Sequence, residues 1–481
     1  MKGFMHIKNI AGVLAMICLF SACSKNLEEL NENTKDATQA DGATFFAYAT
    51  KSMADVMQDL TYGSSGTPFT ICRLFAQHTS CNTYNEGSNY YAQFSWDNVY
   101  QDVLKNLDES KKTIVAEEPI DEAGAIQQRN QLAIIEIMNV YAYARLVESF
   151  GDIPYSEALN IDNVSAKYDD AETVYTDLFA RLSAAIENLD ASGGSFGTSD
   201  LIYGGDAGAW IKFGNSLKLQ MGLRMIDALP ELGAEAVQQA SSNLIGSNAE
   251  NAVLVYQEAT PNTNPLYVDL AIGNRQDFVA AAPLVDVMNT LNDPRRAVFF
   301  TTVNGNFVGA PYGQPVEYGQ YSHFGGLFYT PSVPSIFIDY ATVEFLLAEA
   351  AERGIVGTAA EAEMHYNNAI KASFEYYGVT GAEAYLQQAS VAYQTAPGAW
   401  KEKIGLQKWI ALYNQGYEAW TEYRRLDYPK LQAPPNGFID IVPVRLLYPT
   451  SEQTLNGASW QAASDAIGGD LMTTKLFWDT Y

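Results

Sequence analysis

The chain has 481 residues, with 56 acidic side chains against 29 basic ones and a net charge of −27. Such a surface repels phosphate backbones and anionic headgroups, which argues against nucleic acid and against electrostatic docking to a membrane. A single core rarely grows beyond about 250–300 residues, so this length predicts either two cores or one elongated, stacked architecture.

Residues 1–22 read as a secretory signal: Lys2 and Lys8, an apolar run from Ile10 to Phe20, then the small residues Ser21, Ala22 and Cys23. The run is shorter than the roughly 20 residues that span a bilayer. Phe20-Ser21-Ala22-Cys23 resembles a bacterial lipobox, with Phe20 where leucine is usual. The resemblance implies that Cys23 is acylated and becomes the N-terminus, since stable anchoring needs two or more acyl chains. The removed piece carries two lysines and no acid, so the remaining 459 residues bear a net charge of −29. Residues 23–40 open on Ser24-Lys25-Asn26-Leu27-Glu28-Glu29 and read as a flexible acidic tether. Residues 41–481 are then the folded domain.

Within that domain helical periodicity dominates. Thr61 to Trp96 breaks it, holding Gly63, Gly66 and Gly87 among Tyr62, Tyr84, Tyr90, Tyr91 and Phe94. Cys72 and Cys81 lie in this stretch. On one straight helix they would be about 13–14 Å apart, too far to bond, whereas a bend between them permits a disulfide. Leu132 to Phe150 is apolar on nearly every side and reads as a buried helix ended by Gly151 and Pro154. Tyr175–Leu189 and Trp210–Leu229 follow as helices, and Val253–Tyr256 is the best strand pattern. Asn304 to Pro334 is the second break, with six glycines among Tyr312, Tyr318, Tyr321, Phe324, Phe328 and Tyr329. Val343, Leu346, Leu347, Ala350 and Ala351 then form an apolar stripe closed by Gly354. Thr358-Ala359-Ala360-Glu361 has capping-box spacing, and Ala362, Tyr366, Ala369, Ile370 and Phe374 make a second stripe. This is tetratricopeptide-like helix–turn–helix grammar without that repeat's Trp and Gly-Tyr signature. Leu406, Trp409, Ile410, Tyr413, Tyr417 and Trp420 continue one amphipathic stripe to Pro429.

Catalytic and metal signals are weak. Gly193-Gly194-Ser195-Phe196-Gly197 matches the Gly-x-Ser-x-Gly pattern, but that elbow needs a preceding strand and a helical pattern stands there instead. It reads as a loop. His78, His323 and His365 have no second ligand at metal spacing, and no phosphate loop or dinucleotide fingerprint occurs, so no metal or cofactor is expected. His365 reads as exposed. Asp97, Asp102, Glu317 and Asp339 are conceivable glycosidase acids by position alone. The aromatics of the two glycine-rich stretches carry the functional expectation, because long loops are commonly functional and flat rings bind sugar faces or peptide side chains at small entropic cost. The candidate ligand contacts are Tyr62, Arg73, Tyr84, Asn89, Tyr90, Tyr91 and Trp96 from the first stretch, and Tyr312, Tyr318, Tyr321, His323 and Tyr329 from the second. The two stretches are expected to meet on one side of the helical scaffold.

Gln407-Lys408-Trp409-Ile410-Ala411-Leu412-Tyr413, then Gly416, Glu418-Ala419-Trp420 and Arg424-Arg425, resemble a core signature of the SusD/RagB lipoproteins, in particular their second SusD-like branch. Gly151-Asp152-Ile153-Pro154-Tyr155, Asn292-Asp293-Pro294-Arg295, Phe345–Ala350 and Pro443-Val444-Arg445 support it. Leu426-Asp427 stands where the family has Thr-Gly. The resemblance implies a mainly α-helical, SusD-like fold on tetratricopeptide-like helix pairs. It also implies a lipid anchor on the outer membrane facing the exterior, a SusC-like TonB-dependent barrel as partner, and a glycan or peptide ligand without catalysis. A surface glycoside hydrolase and a tetratricopeptide-like assembly adaptor are the competing readings.

Overall fold

The structure, a computed structural model, describes residues 40–62, 67–91 and 93–481. The signal, Cys23 and all of the tether but Ala40 lie outside these residues.

From Gly42 onward the chain is mainly helical. The helices used below are α1 (Gly42–Gln58), α2 (Lys105–Ala116), α3 (Glu122–Phe150), α4 (Ala171–Asn188), α5 (Ala207–Met225), α6 (Pro230–Ala240), α7 (Tyr340–Glu352), α8 (Ala359–Tyr376), α9 (Trp400–Ala411) and α10 (Gly416–Leu426). Acidic side chains start several of them. Asp121, Asp170, Asp206 and Asp339 each accept a hydrogen bond from the amide three residues on, satisfying a donor the helix cannot. Gly151 ends α3 at φ +86°, a conformation that costs glycine least.

The helices pack as consecutive pairs: α3 on α4, α5 on α6, α7 on α8, and α9 on α10. Small residues set the closeness. Ala350, Ala362 and Ala369 are fully buried between α7 and α8, as the sequence pattern predicts. A Cβ on Gly222 would stand 2.8 Å from that of Ala236, so α5 and α6 touch almost backbone to backbone. At the start of α8, Thr358 caps the Glu361 amide. The Glu361 carboxylate takes the Thr358 hydroxyl at 2.8 Å, instead of the reciprocal amide of a full capping box.

Among the described residues, three two-stranded antiparallel ladders accompany the helices. They join β1 (Thr79–Cys81) to β5 (Phe278–Ala280), β2 (Ile153–Pro154) to β3 (Tyr168–Asp169), and β4 (Ala252–Leu254) to β6 (Ser335–Ile338). One hydrophobic core runs continuously from Phe46 to Met472. Among the described residues the two-core alternative is therefore not realised.

Two further expectations change. The stripe from Leu406 to Trp420 is two helices, broken at Leu412–Gln415 where Asn414 takes φ +68°. His365 is partly buried, with Nδ1 2.7 Å from the Glu344 carboxylate. Cys72 and Cys81 are both free and buried, and burial pushes the Cys81 thiol up to about 11.

The signature residues hold the scaffold together from inside. Arg425 meets Glu349 through both terminal nitrogens (2.6 and 2.5 Å) and Glu422 at 2.6 Å, while Lys408 reaches Glu422 at 2.8 Å. Arg224 bridges Glu148, at 2.5 Å, to Glu418, and the hydroxyls of Tyr175 and Tyr417 complete the shell of Glu148. Burial works against the charge on Glu422, but Arg425, Lys408 and Arg224 outweigh it and hold the carboxyl below its usual range.

Candidate functional site

The end of α9 fastens both glycine-rich stretches. Trp409 donates its indole N–H to the Ala76 carbonyl at 2.8 Å, and His78 Nε2 lies 3.1 Å from the Trp409 carbonyl. Burial lowers the His78 pKa to about 3, so the imidazole is neutral. Tyr413 stacks on Phe299 (4.4 Å, 17°), donates to its carbonyl at 3.2 Å, and packs edge-on against Phe328. The start of α10 presses on the first stretch so closely that a Cβ at Gly416 would lie 2.5–2.6 Å from Arg73 atoms, which only glycine permits.

The ladder then sets the site. Pairing of Cys81 with Phe278 brings Asn82 and Gln276 to the same end of the β1–β5 ribbon, where the Asn82 amide donates to the Asp277 carbonyl at 3.1 Å. The second stretch folds back on β5, with Ala310 donating to the Ala280 carbonyl and Ala280 to that of Ser322. It also crosses to the first stretch. Val316 donates to the Asn82 carbonyl at 3.0 Å, and the Asn85 and Asn89 side chains both donate to the Gly313 carbonyl. The two stretches therefore meet, as expected.

Between them opens a cleft of about 760 Å³ lined by Asn82, Thr83, Gln276, Pro315, Val316, Glu317, Tyr318, Gln320 and Tyr321, within the usual size of a ligand pocket. Tyr318 is held from behind: it stacks on His323 (4.4 Å, 13°), and its hydroxyl lies 3.4 Å from that of Tyr329. Burial lowers the His323 pKa, leaving that ring uncharged at neutral pH.

The structure sorts the sequence candidates into three groups. Tyr318 and Tyr321 line the cleft, with His323 and Tyr329 as support. Tyr84 and Tyr91 are 65% and 55% exposed on the adjoining surface, and partly buried Tyr62 braces the first of them by donating to its carbonyl at 3.0 Å. Arg73, Asn89, Tyr90, Trp96 and Tyr312 are buried and do not line this cleft, although Trp96 lines a separate cavity of about 470 Å³ with Tyr100 and Pro154. Tyr90 packs on Phe75, Trp96 on Phe150, and Tyr312 donates to the Leu74 carbonyl at 2.7 Å. Arg73 reaches across to the Phe324 ring, 6.0 Å away, joining the two stretches internally.

Asn82, Thr83, Gln276 and Gln320 were missed, because short polar residues between aromatics give no periodic signal. Asn274-Arg275-Gln276-Asp277, a polar run just before a strand, was the one available hint. Asp339, conceivable as a catalytic acid, is a buried helix cap that also accepts from Gln415 at 2.8 Å. Ser195 is buried, with its hydroxyl donated to the Gly205 carbonyl at 2.9 Å.

Compared with known families, residues 34–449 match the SusD-like_2 family, described as "Starch-binding associating with outer membrane". A solved structure described as a chitin-binding protein is 26% identical, with a TM-score of 0.75 over 92% of this chain and 100% of its own. A SusD homolog from Bacteroides uniformis is likewise 26% identical, with a TM-score of 0.75 over 92% and 99% of the two chains. A chitin-binding SusD homolog from Flavobacterium johnsoniae, 24% identical over 90% and 98%, shares the fold at a TM-score of 0.76. No curated protein matches the sequence.

Proposed function

The chain belongs to the SusD-like family of outer-membrane-associated binding proteins, and from that premise we propose that it captures a neutral glycan in the cleft between its two loop stretches. It then delivers the glycan, as a lid, to a SusC-type TonB-dependent barrel. The lining carries this reading. The rings of Tyr318 and Tyr321 stand beside the exposed amides of Gln276 and Gln320 and the hydroxyl of Thr83, with buried Asn82 behind them donating to Thr83 and to the Val316 carbonyl, and no lining residue is a cation. Rings suit sugar faces, and amides suit hydroxyl and acetamido groups. A peptide carboxylate or an acidic sugar would find no countercharge there and would face Glu317, so an uncharged glycan fits better. The 26%-identical chitin-binding relative makes chito-oligosaccharides the first probes, and the family description makes malto-oligosaccharides the second.

The protein binds without turnover, and acylated Cys23 holds it on the exterior face of the outer membrane. Calorimetry with both oligosaccharide series tests the cleft. Tyr318→Ala should weaken binding by about 1–3 kcal/mol, the value of burying one ring. Unchanged affinity in both Tyr318→Ala and Tyr321→Ala would rule the cleft out. For the anchor, Cys23→Ala should move the protein from the detergent phase to soluble fractions, and unaltered partitioning would count against acylation.

A further inference from the structure

Beyond the cleft, the same surface carries aromatic side chains that the proposed site does not use. Tyr84 is 65% exposed, Tyr91 55% and Phe438 60%, in a chain whose other loop rings are largely packed. Tyr91 and Phe438 face each other at 5.2 Å with their planes 58° apart. Both are held by backbone. The Tyr91 amide donates to the Glu86 carbonyl at 2.8 Å, and the Phe438 amide to the Asn89 carbonyl at 2.8 Å.

The pair is tied to the cleft by one seam. Thr83 lines the cleft, Tyr84 follows it, and Asn85 and Asn89 donate to the Gly313 carbonyl at 3.2 and 3.0 Å. Gly313 has φ +71°, and a Cβ there would sit 2.5 Å from Pro434, so the 434–438 turn packs against the same peptide. Pro315, where the cleft lining begins on this side, is two residues on and so at most about 7 Å away along the chain. The neighbouring charges, Glu86 and Asp440, are exposed acids, which disfavours an anionic occupant here as in the cleft.

We propose that Tyr91 and Phe438, with Tyr84 on the chain between them and the cleft, form an outer subsite for the continuation of a glycan whose first units lie in the cleft. The inference rests on the cleft being the glycan site. It makes the ligand an oligosaccharide with affinity that grows with chain length, because each further ring contact adds buried apolar area.

Calorimetry across chain length tests it on the full mature protein, using the disaccharide and hexasaccharide of the chito- and malto- series. The wild-type protein should bind the hexasaccharide of one series more tightly than its disaccharide. Tyr91→Ala with Phe438→Ala should cut hexasaccharide affinity about tenfold and leave disaccharide affinity unchanged. Both side chains are more than half exposed, so an unchanged melting temperature is expected and is measured alongside. Tyr318→Ala should weaken both lengths. Hexasaccharide affinity unaltered in the double variant, while Tyr318→Ala still weakens the disaccharide, would overturn the outer subsite and leave the cleft standing. Glycan binding indifferent to Tyr318→Ala, or absent from both series in the wild type, would overturn the cleft and this inference with it.

Discussion

Around Glu148 and Glu422, charged side chains are sunk almost completely and each meets opposite charges or hydroxyls. Across the cleft, by contrast, mostly uncharged side chains, two tyrosines among them, line open space, and the one charge, Glu317, has no cation in the lining to pair with. Both regions depend on the same segment: Lys408 and Arg425 belong to the ionic network, while Trp409 and Tyr413 fasten the loops. On the proposed reading, the contrast separates holding from binding. Buried ion pairs demand fixed geometry and are costly to break, so they suit a frame, whereas solvent-facing amides and rings can exchange water for ligand.

That separation can be broken most forcefully at Arg425. Arg425→Met leaves Glu349 without its bidentate partner and should cost about 3–5 kcal/mol of stability, measured by denaturant unfolding. Burial opposes charge at Glu349 and Glu422, yet their cationic neighbours keep both pKa values below the ordinary 4.5. Their contribution is therefore present above the unfolded-state pKa and lost as pH falls below it. The gap between variant and wild type should narrow in acid. A variant as stable as the wild type at pH 7 would mean that the network is not what holds the frame.

The counterpart in the cleft should behave oppositely. Tyr318→Ala should take its effect in glycan affinity while the melting temperature stays within a few degrees of wild type, since the ring is only partly buried. A large loss of stability there would merge the two regions that the comparison keeps apart.

Asp479 gives the smallest expected effect and a sign that sharpens the point about burial. It is buried, and burial pushes its pKa up to about 6, with Lys475 at 3.3 Å as a partly compensating cation. Because the folded value lies above the unfolded one, this group's stabilisation is complete below about pH 4 and lost as pH rises through 6. Asp479→Asn should thus be more stable than wild type at pH 7 by about 1–2 kcal/mol and indistinguishable at pH 4. A destabilised variant at pH 7 would show that the Lys475 contact outweighs burial.

The helix pairs and the family signature were legible in the sequence because they rest on local rules. Stripes at three- and four-residue steps, acidic caps and small residues at helix crossings act within a few turns of the chain. The break between α9 and α10 escaped, since an apolar stripe continues through a turn whenever both helices face the same core. The two stretches that form the cleft were also legible, as glycine and aromatic clusters too long to be connectors. Which rings face outward was not. Tyr90 and Tyr91 are neighbours, yet Tyr90, at φ +66°, is fully buried against Phe75 while Tyr91 is 55% exposed beside Phe438. Exposure of a loop ring is decided by what folds over it from elsewhere, here Tyr312 on one side and the 434–438 turn on the other. Only tertiary contacts between residues more than 190 positions apart could make Tyr90 core and bring Asn82 and Gln276 to one cleft, since no periodicity along the chain encodes which distant segment will cover a given turn.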